Sequence, residues 1–447
     1  MSCSVFFLSF PILFITFVAN KKLMRVLIIN TSENTGGAAV AANRLKDALN
    51  NNGVKAKMLV RDKTTDDITV VGLRQSLRVS WNFLWERFSI FRHLHFCKKH
   101  LWEIDTACCG SDVTQLREFQ EADVIHLSWV NQGFLSLKGI RKILNSGKPV
   151  VWTMHDLWPA TGICHYARGC ERLKNMCSHC LLLPHRGGVH DLSNKVWRKK
   201  EALYKDGNIY FVSCSKWLQD QAKQSRLFVG QRLTNIPNPI DTRVYLPQDK
   251  KESRLRAGLP DNKKLILFVS QKVTDERKGM NYFIHSIERL VAMHPEMKED
   301  TGIAILGGHS EELENQLSLP VYSLGYVNDQ RKIVNVYNSA DVFVLPSLED
   351  NLPNTIMEAM ACGVPCVGFQ TGGIPEMIDH QKTGYVAKYR DADDLAKGIF
   401  WVLAEADRKE LSYQSIHKVS VQYSQRAVAM KYIDVYNQAM AFRNYKL

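Results

Sequence analysis

Residues 341–369 read DVFVLPSLEDNLPNTIMEAMACGVPCVGF. Two short apolar runs, 341–346 and 365–369, bracket a turn containing Pro353 and a helix-length stretch at 355–362, the pattern of one strand, helix, strand unit. Strands joined through a helix lie parallel. Outward from this unit the same alternation recurs, with strands predicted at 265–270 (LILFVS), 302–307 (GIAILG) and 321–327 in the same half of the chain. An earlier series falls at 25–30 (RVLIIN), 55–60, 123–128 (DVIHLS), 149–154 (PVVWTM) and 209–214 (IYFVSC). Between the series, residues 235–264 replace the apolar pattern with prolines and charges, which marks a domain boundary. The expected architecture is α/β: a first domain at 24–235, a second at 236–425, and a final helix at 426–447 that packs on either domain, the first included. Ligands of such parallel sheets bind beyond the carboxyl ends of the strands, so a cleft between the two domains is the expected site.

The 447 residues suit two or three domains, and 45% hydrophobic with 23% charged residues excludes disorder as the main state. A net charge of +13 favours phosphate-bearing ligands, anionic lipid surfaces or nucleic acid without choosing among them. The 11 cysteines are odd in number, and Cys214, Cys362 and Cys366 lie in or beside apolar runs, which suits a reducing compartment. The apolar run from Val5 to Ala19 is shorter than the roughly 20 residues of a spanning helix, and its basic residues, Lys21 and Lys22, follow it instead of preceding it as in a secretory signal. Residues 1–23 are read either as an extension from a mis-called start ahead of Met24 or as an anchor with the lysine pair on the cytoplasmic side. Both readings place the globular part in the cytoplasm, free or held at the inner face of the plasma membrane.

No G-x-x-x-x-G-K-[ST] loop is present and no G-x-G-x-x-G follows the first strand, so neither a P-loop NTPase nor an ordinary dinucleotide oxidoreductase is supported. That strand runs instead into TSENTGGA, where Gly36 and Gly37 let backbone approach a ligand ahead of a helix N-terminus. A tight turn explains the pair equally well. In the second half stand R-K-G at 277–279, L-G-Y-V at 324–327, E-A-M-A-C-G at 358–363 and T-G-G-I-P-E at 371–376. With the segment 346–387, these motifs make the chain resemble family-4 retaining glycosyltransferases, enzymes of the GT-B fold with two facing Rossmann-like domains. The resemblance covers nearly all of 24–440.

The resemblance implies a nucleotide-diphosphate sugar, UDP- or GDP-linked, as donor and a glycan or lipid-linked acceptor, in cell-surface polysaccharide synthesis, without a catalytic metal. It implies a ribose contact for Glu358 and a contact between the transferred sugar and the acid eight residues earlier. That acid is Asp350 here, where the family has glutamate, and Glu349 adjoins it. It also points to His155 at the end of strand 149–154, near the reaction centre, and to Ser215 and Asn238. The residues support these roles physically. Asn351, Leu352, Pro353 and Asn354 turn the chain into a helix whose free amides suit a diphosphate. A carboxylate at Glu358 can accept two hydroxyl hydrogen bonds. Arg277 and Lys278 can stabilise the charge that gathers on a leaving diphosphate.

Two further segments stand outside the family pattern. Cys164, Cys170, Cys177 and Cys180 are spaced C-x5-C-x6-C-x2-C in a loop at 160–188, a set that could close on a structural zinc ion, pair as disulfides or remain free. Segment 76–103 interleaves Trp81, Trp85, Phe88 and Phe91 with Arg78, Arg87, Arg92, Lys98 and Lys99, as a basic amphipathic helix on an anionic membrane would, or a core helix with a charged outer face. Two competing functions are a nucleotide-sugar epimerase of the same fold and a nucleic-acid-binding zinc protein. The second lacks a His-x3-5-His partner for the cysteines, and nucleic acid is not expected as a partner.

Overall fold

The computed structural model describes residues 23–74, 76–313 and 316–444. The apolar run at 5–19, and with it both readings of the N-terminal extension, lies outside the described residues. Two all-parallel sheets form the body. The first joins β1 (Arg25–Ser32), β2 (Lys55–Asp62), β3 (Val70–Gly72), β4 (Val124–Leu127), β5 (Val150–Met154), β6 (Ile209–Ser213) and β7 (Arg232–Asn235) in the order 3-2-1-4-5-6-7. The second joins β8 (Lys264–Lys272), β9 (Thr301–Gly308), β10 (Val321–Ser323), β11 (Val342–Leu345), β12 (Cys366–Phe369) and β13 (Gly384–Ala387) in the order 10-9-8-11-12-13. In each sheet the order reverses beside the first strand, between β1 and β4 and between β8 and β11, and the crevices at these points open at the strands' carboxyl ends.

The strands at the centre are the ones predicted. Ile28, Ile29, Ile125 and Val151 in the first sheet, and Ile266, Leu267 and Phe343 in the second, are fully buried because helices cover both faces. The unforeseen strands, β3, β7 and β13, are all at sheet edges. An edge strand needs only one paired flank, so VVG, RLTN and GYVA carry no continuous apolar run to betray them.

The helix Gln425–Asn444 returns to the first domain. Val428, Tyr432 and Tyr436 fill its core with Val26, Ile28 and Val151. Tyr436 Oη lies 2.6 Å from His126 Nδ1, and Tyr432 Oη lies 2.9 Å from Thr153 Oγ1. Burial depresses the His126 pKa to about 3, so this ring is a neutral hydrogen-bonding partner. The two chain crossings between domains lie side by side: Ile240 N–H donates to Tyr423 O at 2.8 Å and Gln425 N–H to Ile240 O at 3.1 Å. Among the described residues no helix is long and apolar enough to cross a membrane.

Candidate functional site

The second sheet sets the site's cationic edge. After β8 a single 3-10 turn, Glu276–Lys278, ends at Gly279, which has φ 74°. A Cβ there would stand 1.9 Å from the Pro346 carbonyl oxygen, so only glycine lets this turn press against the loop leaving β11. Gly279→Ala should therefore unfold at lower urea concentration than the wild type, whereas Gly258→Ala, also at positive φ but with open space around it, should lose only the strain of its backbone. Equal losses in urea titrations would show that the close approach carries no weight. The approach brings Lys278 Nζ to 2.5 Å and Arg277 Nη1 to 3.6 Å from Asp350 Oδ2. Arg277 Nη1 also donates to the Glu349 carbonyl at 2.9 Å, and its guanidinium lies over the Tyr166 ring of the first domain at 5.5 Å. Burial would raise the Asp350 pKa, but Lys278 and Arg277 outweigh it and hold the carboxyl below the usual range. Gly372, at φ 56°, backs the same loop: a Cβ there would stand 1.7 Å from the Asp350 carbonyl oxygen.

The loop 350–354 leads into the helix Asn354–Ala361. Its residues divide by role. Leu352 and Pro353 are buried, Leu352 in the second domain's core, so they offer a ligand backbone only, the kind of contact expected of this turn. Asn351 Nδ2 donates to the His155 carbonyl at 3.0 Å, and its Oδ1 accepts from Ser215 Oγ. Asn354 Nδ2 donates to the Gly37 carbonyl at 3.1 Å and its Oδ1 accepts from Asn238 Nδ2 at 3.1 Å. Gly36, Gly37, His155, Ser215, Asn238 and the 350–354 loop therefore meet at one seam between the domains.

Glu358 sits one helical turn further on. Its Oε1 accepts from Arg44 Nη2 of the first domain at 2.6 Å and its Oε2 from Tyr337 Oη at 2.7 Å. Arg44 stacks over Tyr245 at 5.0 Å, while its Nη1 and the nearby Thr355 Oγ1 are buried without a hydrogen-bond partner. The Arg44 guanidinium on the carboxylate thus has unused hydrogen-bonding capacity. Sequence reasoning missed Arg44, although it lies seven residues after Gly37 and so on the same helical face two turns along. It also left Glu376 of T-G-G-I-P-E without a role. The Glu376 carboxylate accepts from Lys216 N and Trp217 N at 2.8 and 2.6 Å, satisfying amides of the first turn of the helix Lys216–Lys223 across the cleft.

His155 closes the site from the first sheet. Its Nε2 lies 3.0 Å from Ser128 Oγ, and burial depresses its pKa to about 4, so the ring is neutral at physiological pH. Behind it runs a buried ionic chain. Asp156 and Asp105 grip His165 through Nδ1 at 2.7 Å and Nε2 at 2.8 Å, and Asp105 also pairs with Arg87. Burial works against the imidazolium, but the Asp156 charge and the hydrogen bonds to both carboxylates outweigh it and raise the His165 pKa to about 10.

The cysteine loop is organised by this chain and by Lys200. The Lys200 ammonium, pushed down to about 7 by burial, donates to the Trp158 and Thr161 carbonyls at 2.6 and 3.0 Å. Cys164, Cys170, Cys177 and Cys180 are half-buried free thiols. Cys177 Sγ accepts the Gly162 N–H at 3.3 Å, and the Cys180 N–H is taken by Asp191 at 2.9 Å. Among the described residues, no group of three His, Cys, Asp or Glu side chains could hold a metal ion. Lys200 and Asp191 hold the loop through hydrogen bonds to its backbone.

Residues 263–405, within the second domain, match the family model described as Glycosyl transferases group 1. An uncharacterised glycosyltransferase of Methanocaldococcus jannaschii is 28% identical over 264 residues, 57% of this chain and 66% of that one. The matches span about half to two thirds of the length of the curated relatives. Among solved structures, sucrose-phosphate synthase of Thermosynechococcus elongatus superposes with a TM-score of 0.64 at 17% identity, over 94% of this chain and 99% of that one. Anabaena HepE, solved in complex with UDP and glucose, gives 0.60 at 16% identity, over 93% and 99%. These likenesses establish the fold: two facing Rossmann-like domains, the GT-B architecture.

Proposed function

We propose that the chain is a family-4 retaining glycosyltransferase that takes a sugar from a UDP- or GDP-sugar in the second domain and transfers it to a glycan or lipid-linked acceptor beside the first, in cell-surface polysaccharide synthesis. The observation that carries the reading is the meeting of Lys278, Arg277, Asp350 and the N-terminus of the helix bearing Glu358 with His155 at one interdomain seam. A donor diphosphate beside Lys278 and Arg277 would take over the counter-charge that Asp350 supplies without ligand. Ribose hydroxyls would replace the Arg44 guanidinium on Glu358. In the transfer step the bond from the sugar's anomeric carbon to the diphosphate oxygen breaks with its electron pair leaving on the diphosphate. The acceptor hydroxyl oxygen bonds to the same face of the sugar, and its proton passes to the departing phosphate. The two cations act where charge develops, which is where an enzyme lowers a barrier. Anabaena HepE, whose structure holds UDP and glucose, supports a UDP-linked donor.

Glu358→Gln is expected to weaken donor affinity at least about tenfold, because a charged acceptor of hydroxyl hydrogen bonds becomes neutral. Calorimetric titration with the donor checks this, and unchanged affinity would remove Glu358 from the site. An epimerase would convert donor to its epimer with no second substrate, whereas the proposed transferase needs an acceptor for turnover.

A further inference from the structure

The helix Leu77–His93 turns its buried side, Val79, Asn82, Glu86, Arg87 and Ile90, into the first domain. Glu86 fixes it there: Oε1 accepts the Thr106 and Ala107 amides at 3.0 and 2.6 Å, and Oε2 accepts the Gly133 amide. The opposite side is not the charged outer face of an ordinary core helix. Leu77, Trp81, Leu84, Trp85 and Phe88 are all exposed, Trp81 at 61% and Phe88 at 51%. At 100° per residue they occupy one arc of about 100°. Trp81 stacks on Trp85 at 6.2 Å and Trp85 meets Phe88 at 6.0 Å, so the rings form one continuous patch. Phe96, just beyond the helix, and Trp102 are exposed as well.

Within residues 74–100 the exposed charges have a single sign. Arg74, Arg78, Arg92, Lys98 and Lys99 are exposed, and the one acid between residues 74 and 100, Glu86, is buried and turned inward. Stable monomer surfaces seldom show aromatic stripes of this kind, and a segment whose exposed charges are all cationic favours an anionic partner. We propose that this face docks the protein on an anionic lipid bilayer, with Trp81, Trp85 and Phe88 seated at the boundary between headgroups and chains and the cations on the headgroup phosphates. The helix would then lie in the membrane plane. Because Arg87 on its buried side pairs with Asp105, and Asp105 leads through His165 to Asp156 beside His155, the docked helix and the site belong to one rigid unit.

Flotation of the full chain with phosphatidylcholine vesicles, with and without phosphatidylglycerol, tests the proposal. Wild-type protein should float with the anionic vesicles and be released by salt. Trp81→Ser/Trp85→Ser/Phe88→Ser should lower its partition coefficient at least about tenfold, since three large apolar groups lose their burial. Arg78→Gln/Arg92→Gln/Lys98→Gln/Lys99→Gln should remove the preference for phosphatidylglycerol, at about fivefold per cation. Each side chain is exposed, so thermal unfolding should match the wild type, and the charge variant carries the test alone if the aromatic one does not fold. Three results would overturn the proposal: no flotation of the wild type, flotation undiminished in both variants, which would assign binding to residues outside this face, or a wild-type dimer that the aromatic variant makes monomeric, which would assign the face to a second copy.

Discussion

Lys278→Ala should lower kcat by about 10²–10³-fold, the scale on which loss of one group stabilising developing charge is felt. Its effect on stability should be smaller, because Arg277 still stands 3.6 Å from Asp350 and keeps that buried carboxylate paired. Removing both cations is a different experiment. From sequence alone, Arg277→Ala/Lys278→Ala looks like a change to catalysis with little effect on folding. In the structure it strands Asp350, and stranding a buried charge costs roughly 3–5 kcal/mol. Adding Asp350→Asn to the double variant should restore stability without restoring turnover. Urea unfolding and steady-state rates on the four proteins separate the effects. Wild-type turnover in Lys278→Ala, or recovery of rate together with stability in the triple variant, would mean that the cations serve only to hold the loop.

The second large effect lies in the first domain. His165→Gln leaves Asp105 and Asp156 without the charge between them, at a cost of roughly 3–5 kcal/mol at neutral pH. The pH dependence has a definite sign. A histidine with a folded-state pKa raised to about 10 contributes its full stabilisation below its unfolded value near 6.5 and loses it as pH rises through that window, by about 1.4 kcal/mol per unit. The stability difference between wild type and His165→Gln should therefore be largest below pH 6.5 and shrink steadily toward pH 10. A difference independent of pH would show that His165 is neutral in the fold.

The legibility of the sequence depends on the kind of signal each residue carries. Interior strands such as RVLIIN and LILFVS announce themselves because both faces are buried, whereas RLTN and GYVA do not because an edge is half solvent. At the candidate site, motif spacing singled out Lys278, Asp350 and Glu358, which follow neighbouring strands of one sheet. It could not locate Arg44 or Glu376, whose partners lie 314 and about 160 residues away in the chain, because such contacts are set by how the two domains meet. The cysteine spacing left zinc, disulfides and free thiols open, and it carried no sign of the Gly162 amide on Cys177 or of Asp191 on the Cys180 amide. For 76–103 the alternation of aromatic and basic residues was legible, but not which residues faced out; Glu86 and Arg87, anchored inward, decide that.

Transfer of a sugar from a nucleotide donor held by the second domain is checked by incubating the full chain with UDP- and GDP-sugars and a glycan or lipid-linked acceptor, and measuring released nucleotide diphosphate and the product's anomeric configuration. The expected result is acceptor-dependent release from one donor class, a product that keeps the donor's configuration, and loss of both in Lys278→Ala. Donor converted to an epimer without nucleotide release, or a product of inverted configuration, would contradict it.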